Sequence, residues 1–100
     1  MKNRGAQFKV WVDLLLHTRT ETQIVGEDGM VVDVQARLSR TGSTQMFMGV
    51  YEADGRMVTE EYYPSMEGET MTRALFFGSA RGFAIASGAD VLPDPRATRL

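Results

Sequence analysis

The chain has no cysteine, one histidine, one tryptophan and three prolines among its 100 residues. Without cysteine there is no disulfide framework, no thiolate metal ligand and no cysteine nucleophile. The solitary His17 has no second imidazole with which to build a histidine-rich metal site. Long apolar runs are missing too, and none approaches the ~20 residues that a membrane span needs. Neither sign of charge dominates: 11 basic and 13 acidic residues leave a net charge of −2. That balance lacks the basic footprint of a nucleic-acid-binding domain. The expectation is a protein with no metal, no cofactor and no membrane partner, and with nucleic acid disfavoured.

The first sixteen residues have a basic start and then apolar residues, as a signal peptide would. Lys9 and Asp13 interrupt the apolar stretch and no small-residue cleavage site follows, so the segment reads as part of the fold. Nine of the 11 basic residues are arginine, the usage of a GC-rich genome. A bacterial protein of the cytoplasm is expected.

What is present fits a globular domain. Hydrophobic residues make up 43% and charged residues 24%. The length suits a single domain. Residues 1–92 read as one α+β domain, and residues 93–100, with Pro93 and Pro95, read as a flexible tail.

Three turn clusters recur: Gly26-Glu27-Asp28-Gly29, Arg40-Thr41-Gly42-Ser43 and Ala53-Asp54-Gly55. Such sequences supply the positive φ that tight hairpins demand. Between them, Met30 to Ser39 alternates, with Met30, Val32, Val34, Ala36 and Leu38 on one side. Val31, Asp33, Gln35 and Arg37 take the other, which predicts a strand with one wet face. Gln45 to Glu52 places Met46, Met48 and Val50 opposite Phe47, Gly49 and Tyr51. Arg56 to Tyr63 and Thr20 to Val25 complete an antiparallel meander of three or four strands. Five methionines of the seven, Met30, Met46, Met48, Met57 and Met71, fall at core positions, where this flexible side chain fills gaps.

A long helix is predicted over about Met66 to Ser87, with Ser65 as N-cap, Glu67 and Glu69 in the first turn and Gly88 just past the end. The N-terminal segment fits two periods. Phe8, Val10, Val12, Leu14 and Leu16 alternate as a strand would, whereas Phe8, Trp11, Val12 and Leu15 form a helical stripe. The triple leucine run favours helix, so the expected order is α-β-β-β-β-α, with the long C-terminal helix packed on one face of the sheet.

Along that helix Ala74, Gly78, Gly82 and Ala86 recur every four residues. A glycine in a helix interior costs about 1 kcal/mol relative to alanine, and close approach of the backbone to another element is the usual compensation. Phe76 and Phe83 lie on a second flank. A helix this apolar needs cover on more than one side, and Phe47 and Tyr51 share a strand face away from the methionines. These features predict a homodimer, with Phe47, Tyr51, Phe76, Phe83, Gly78 and Gly82 as the binding or dimer surface.

Candidate chemistry is sparse. Asp13 and His17, four apart on the expected helix, suit a surface ion pair better than a metal site, for which zinc would want three or four ligands. Glu60 and Glu61 could work beside Tyr62 and Tyr63, but adjacent strand residues point to opposite faces. They read as edge-strand charge that discourages aggregation. Gly78-Ser79-Ala80-Arg81-Gly82 matches neither a P-loop nor a dinucleotide fingerprint, and no serine sits in a nucleophile elbow.

The last three strands and final helix resemble a double-stranded-RNA-binding domain in element order. The basic cluster of that family is replaced by Glu67-Gly68-Glu69. Residues 41–70 hold six acids against one base, and residues 1–20 carry a balance of +3. Arg4, Arg37 and Arg40 are the candidate contacts if nucleic acid is bound. The sequence therefore predicts a small non-catalytic interaction module that binds a protein or an apolar ligand through an aromatic face. Weak nucleic-acid binding and a small enzyme using glutamate and tyrosine acid–base groups stand as the alternatives.

Overall fold

In the computed structural model, which describes residues 2–98, the element order is α1 (Ala6–Trp11), β1 (Thr18–Val25), β2 (Met30–Leu38), β3 (Thr44–Tyr51), β4 (Met57–Tyr63) and α2 (Met71–Ala86). The four strands form one antiparallel sheet in the order β1-β2-β3-β4. The hairpins turn where the glycines allow it, with Gly29 at φ 71° and Gly55 at φ 96° closing the two Asp-Gly turns. Between β3 and β4 the register shifts at Val50/Tyr51, so that Val50 faces Thr59 and Tyr51 faces Met57.

Alternation decides which side chains share a face. Val32, Val34 and Ala36 stand opposite Val50, Met48 and Met46, with Tyr63 beside Met46. All are buried, and together with Met66, Ala74 and Leu75 they make the core beneath α2. The small stripe of α2 lies directly on this layer. A Cβ at Gly78 would stand 2.6 Å from Val34 Cγ1 and 2.7 Å from Met46 Sδ, and one at Gly82 would overlap Val32 Cγ1. The glycines therefore serve packing within the chain. They are buried by the chain's own sheet and are not available as a dimer surface.

α2 begins later than the sequence suggested. Its N-cap is Thr70, whose Oγ1 accepts from the Arg73 backbone N–H at 3.1 Å, and not Ser65. Residues 66–69 form a turn that pins Met66 into the core, with Met66 N–H donating to Thr44 O at 2.8 Å. Glu67 and Glu69 thus precede the helix. At the other end Gly88, at φ 85°, follows the Ser87 cap as expected.

α1 is a helix, but only six residues long. Val12 and Leu15 of the proposed stripe are exposed, and residues 12–17 are turns leading into β1. Asp13 and His17 are therefore not a helical pair. Asp13 instead accepts from Leu15 N–H at 3.0 Å and pairs with Arg40 at 3.1 Å. Met57 is exposed rather than core.

α1 packs on the face of the sheet opposite α2, and this overturns the idea of a wet face. Phe8 meets Phe47 edge-on at 5.1 Å, and Trp11 stacks on Phe47 at 6.1 Å and meets Tyr62 at 5.4 Å. Asp33 and Arg37, assigned to solvent by the alternation, are buried there. Residues 93–98 are no free tail either. They run beside β4, Arg96 lies over Phe77 at 4.8 Å, and Thr98 N–H donates to Tyr62 O at 2.7 Å. Met1, Arg99 and Leu100, the ends of the two segments assigned by sequence, fall outside the described residues. Among the described residues no helix is long and apolar enough to cross a membrane.

Gly78→Ala and Gly82→Ala test the contact between α2 and the sheet. Helix propensity alone would make each variant more stable by about 1 kcal/mol. Overlap with the β-branched Val34 and Val32 should reverse the sign, giving a loss of about 1–3 kcal/mol in urea unfolding. A gain in stability would mean that α2 does not approach the sheet so closely.

Candidate functional site

The densest chemistry lies under α1. A six-residue helix cannot hold itself together in water, and Gly5, its N-cap, has no side chain with which to cap it. The sheet supplies both ends. Glu60 on β4 accepts from Gly5 N–H at 3.0 and 3.1 Å and from Phe8 N–H at 3.2 Å. A carboxylate therefore sits where the helix leaves its first N–H groups unpaired and its dipole is positive. Arg37 on β2 donates from NH1 to the Trp11 carbonyl, at the negative end, and from Nε to Gln45 Oε1 at 2.7 Å. Its guanidinium also lies 3.7 Å over the Trp11 ring.

Between these two caps runs a chain of charged hydrogen bonds. Tyr51 donates its hydroxyl proton to Glu60 Oε2 at 2.6 Å and accepts from Arg4 NH1 at 2.9 Å. The same nitrogen is 2.7 Å from Asp33 Oδ2, and the guanidinium covers the Phe8 ring at 4.1 Å. Gln35 links Asp33 to Trp11, donating to Asp33 Oδ2 at 3.2 Å and accepting from Trp11 Nε1 at 2.9 Å. Gly49 makes room for this arrangement, since the Tyr51 ring lies where a Cβ at that position would stand. Among the described residues no buried side-chain N or O lacks a partner.

A second cluster stands on the α2 side. Arg81 forks onto Glu61 through Nε at 2.6 Å and NH2 at 2.8 Å, and Tyr63 donates to Glu61 Oε1 at 2.7 Å. Glu60 and Glu61 do point to opposite faces. Neither is free edge charge, because each carboxylate is largely buried and hydrogen-bonded.

The ionisation of the tyrosines follows from these surroundings. Burial first, and then the hydrogen bond to Glu60, push the Tyr51 phenol well above its usual range, with Arg4 pulling the other way. Burial and then Glu61 do the same to Tyr63. A phenol that holds its proton so firmly, beneath a helix and already donating to a carboxylate, is poorly placed to pass that proton to a substrate. Among the described residues no cluster of three or more acidic or histidine side chains could hold a metal ion.

The six residues assigned to a binding or dimer surface do not share one. Phe47 and Tyr51 are buried on the α1 face of the sheet, and Gly78 and Gly82 are buried where α2 meets the opposite face. Only Phe76, 77% exposed, and Phe83, 52% exposed, face outward. The three candidate nucleic-acid contacts form no open patch. Arg4 is spent on Asp33 and Tyr51, Arg37 is buried on Trp11, and Arg40 is exposed but paired with Asp13.

Phe76 and Phe83 belong to a stripe, Thr72, Phe76, Ser79 and Phe83, on the side of α2 that leans over β1. Arg19 NH1 donates to Thr72 Oγ1 at 3.3 Å and Gln23 Nε2 to Ser79 O at 3.0 Å. Beside Phe76 a shallow groove of about 600 Å³ runs over Phe77, Ala80 and Met66, with Arg73 and Arg96 on its rim. Both arginines are paired, with Glu69 and Asp94. Sequence reasoning missed the part played by Asp33 and by Glu60. Their signal was an acid inside an apolar alternation and an acid opposite Gly49, each facing the segment that carries Arg4. Comparison with protein-family models, with curated proteins and with solved structures returns no match for this chain.

Tyr51→Phe removes one bond from each of Glu60 and Arg4 in a buried setting and should lower stability by about 1–3 kcal/mol, read by urea unfolding. Alkali gives an independent check. Unfolded phenols ionise near about 10, while the folded ones keep their protons. Above that pH the unfolded state binds fewer protons, so the stability contributed by Tyr51 and Tyr63 is full below about pH 10 and declines as the pH rises. In a Tyr62→Phe variant, phenolate absorbance should therefore appear only as the chain unfolds. Ionisation ahead of unfolding would contradict the placement of both hydroxyls.

Proposed function

We propose that the protein is a non-catalytic interaction module that works as a homodimer, docking through the flank of α2 that carries Phe76 and Phe83. The observation that supports this reading is a contrast in where the chemistry lies. The tyrosines and glutamates that could move protons are turned inward and partnered, while two phenylalanines seven residues apart stand in solvent on an otherwise well-packed helix. Exposed aromatic side chains set close together mark association surfaces. The acid–base alternative loses its support because Tyr51 and Glu60 hold α1 in place. The nucleic-acid alternative loses its support because Arg4, Arg37 and Arg40 are engaged by acids or by Trp11.

Sedimentation equilibrium at micromolar concentration tests the reading. The protein should sediment as a dimer, and Phe76→Ser with Phe83→Ser should weaken association at least tenfold without lowering the melting temperature. A monomer at every concentration up to millimolar would overturn it.

A further inference from the structure

The two edges of the sheet are treated differently. At the end of β4, Thr98 N–H occupies the Tyr62 carbonyl, and the Thr98 hydroxyl is tied to Gln7. Among the described residues no backbone hydrogen bond covers the outer edge of β1. Its outer edge is eight residues long and free of proline, and most of its side chains are exposed. A strand edge of this length is a template for another strand.

We propose that a second copy of this chain adds along β1, antiparallel and centred on Thr20, to make one continuous eight-stranded sheet. The inference rests on the homodimer reading above and names its contact. A two-fold axis perpendicular to the sheet pairs residues of the same face, so the register must be centred on a residue. Centring on Glu21 sets that carboxylate against its own copy, which is repulsive. Centring on Thr20 sets Arg19 of each copy opposite Glu21 of the other. Both side chains lie on the α2 face, where Arg19 faces Ala36 and Glu21 faces Val34 in the neighbouring strand. Among the described residues neither has an ion-pair partner within its own chain, and Arg19 touches only the Thr72 hydroxyl.

The apolar residues agree with the charges. Leu14 and Leu15, 94% and 82% exposed, precede β1, and Ile24, 68% exposed, stands near its end. Antiparallel addition brings the start of one β1 to the end of the other. The register centred on Thr20 brings the turn that holds Leu14 and Leu15 toward Ile24 of the second copy. The exposed Ile24 and the exposed leucines of that turn then cover one another. The same axis keeps both α2 helices on one face, with their Phe76 and Phe83 flanks turned toward each other.

The absence of cysteine makes the register directly readable. Directly opposed residues in an antiparallel pair have Cβ atoms about 4.5–5.5 Å apart, close to disulfide reach. Under mild oxidation Thr20→Cys should form a disulfide-linked dimer, while Thr22→Cys, which would face Thr18, should not. In sedimentation, Arg19→Glu and Glu21→Arg should each weaken the dimer at least tenfold, and the double exchange should restore it. A dimer that crosslinks through position 22, or one indifferent to the charge exchange, overturns this contact and leaves the homodimer reading standing. A chain that stays monomeric overturns both.

Discussion

A helix of six residues persists in this fold because the sheet beneath it supplies an anion at one end and a cation at the other. Glu60 meets the first N–H groups of α1 and Arg37 meets its last carbonyl. Those two side chains come from β4 and β2, with β3 between them, so the helix can be held only by a sheet that is already assembled. Everything else on that face follows from this arrangement. Phe8 and Trp11 are delivered onto Phe47, Arg4 is brought onto Asp33, and Tyr51 links Glu60 to Arg4. Burying so many charges is tolerable because each is answered by a partner in hydrogen-bond range.

The opposite face is covered by different means. α2 is long enough to carry its own hydrogen bonds and brings almost no charge to the contact. It gains adhesion by proximity, with Gly78 and Gly82 letting its backbone settle onto Val34, Met46 and Val32. One sheet is thus covered by a polar clasp on one side and a close apolar contact on the other. Arg81, Glu61 and Tyr63 form a charged cluster on the α2 side, at the margin where α2 meets β4.

The strands, their antiparallel order and the division of β3 into two faces were legible in the sequence, because a period of two and Asp-Gly turns are local properties. The glycine stripe was legible as a close approach, though not which surface it approaches. What could not be read was cover. Asp33 and Arg37 looked solvent-exposed because alternation shows which side chains share a face and is silent on what lies over it. The start of α2 was misplaced because Ser65 and Thr70 are both competent caps, and the choice was made by Met66, which is pulled into the core. Phe76 and Phe83 are exposed as expected, while Phe47 and Tyr51 were claimed by a helix too short to announce itself, and β1 drew no attention because its exposed threonines carry no chemical signature.

The segment that lies along β4 has a consequence beyond holding Arg96 over Phe77. With Thr98 bonded to Tyr62 and tied to Gln7 through its hydroxyl at 2.8 Å, the end of that border is obstructed. In the proposed dimer the joining strand adds at β1, and the two-fold pairing there uses that border. With β4 obstructed, such a sheet would have a valence of one. The proposed growth would then stop at a pair, whereas a meander with both borders open could extend without limit into a filament.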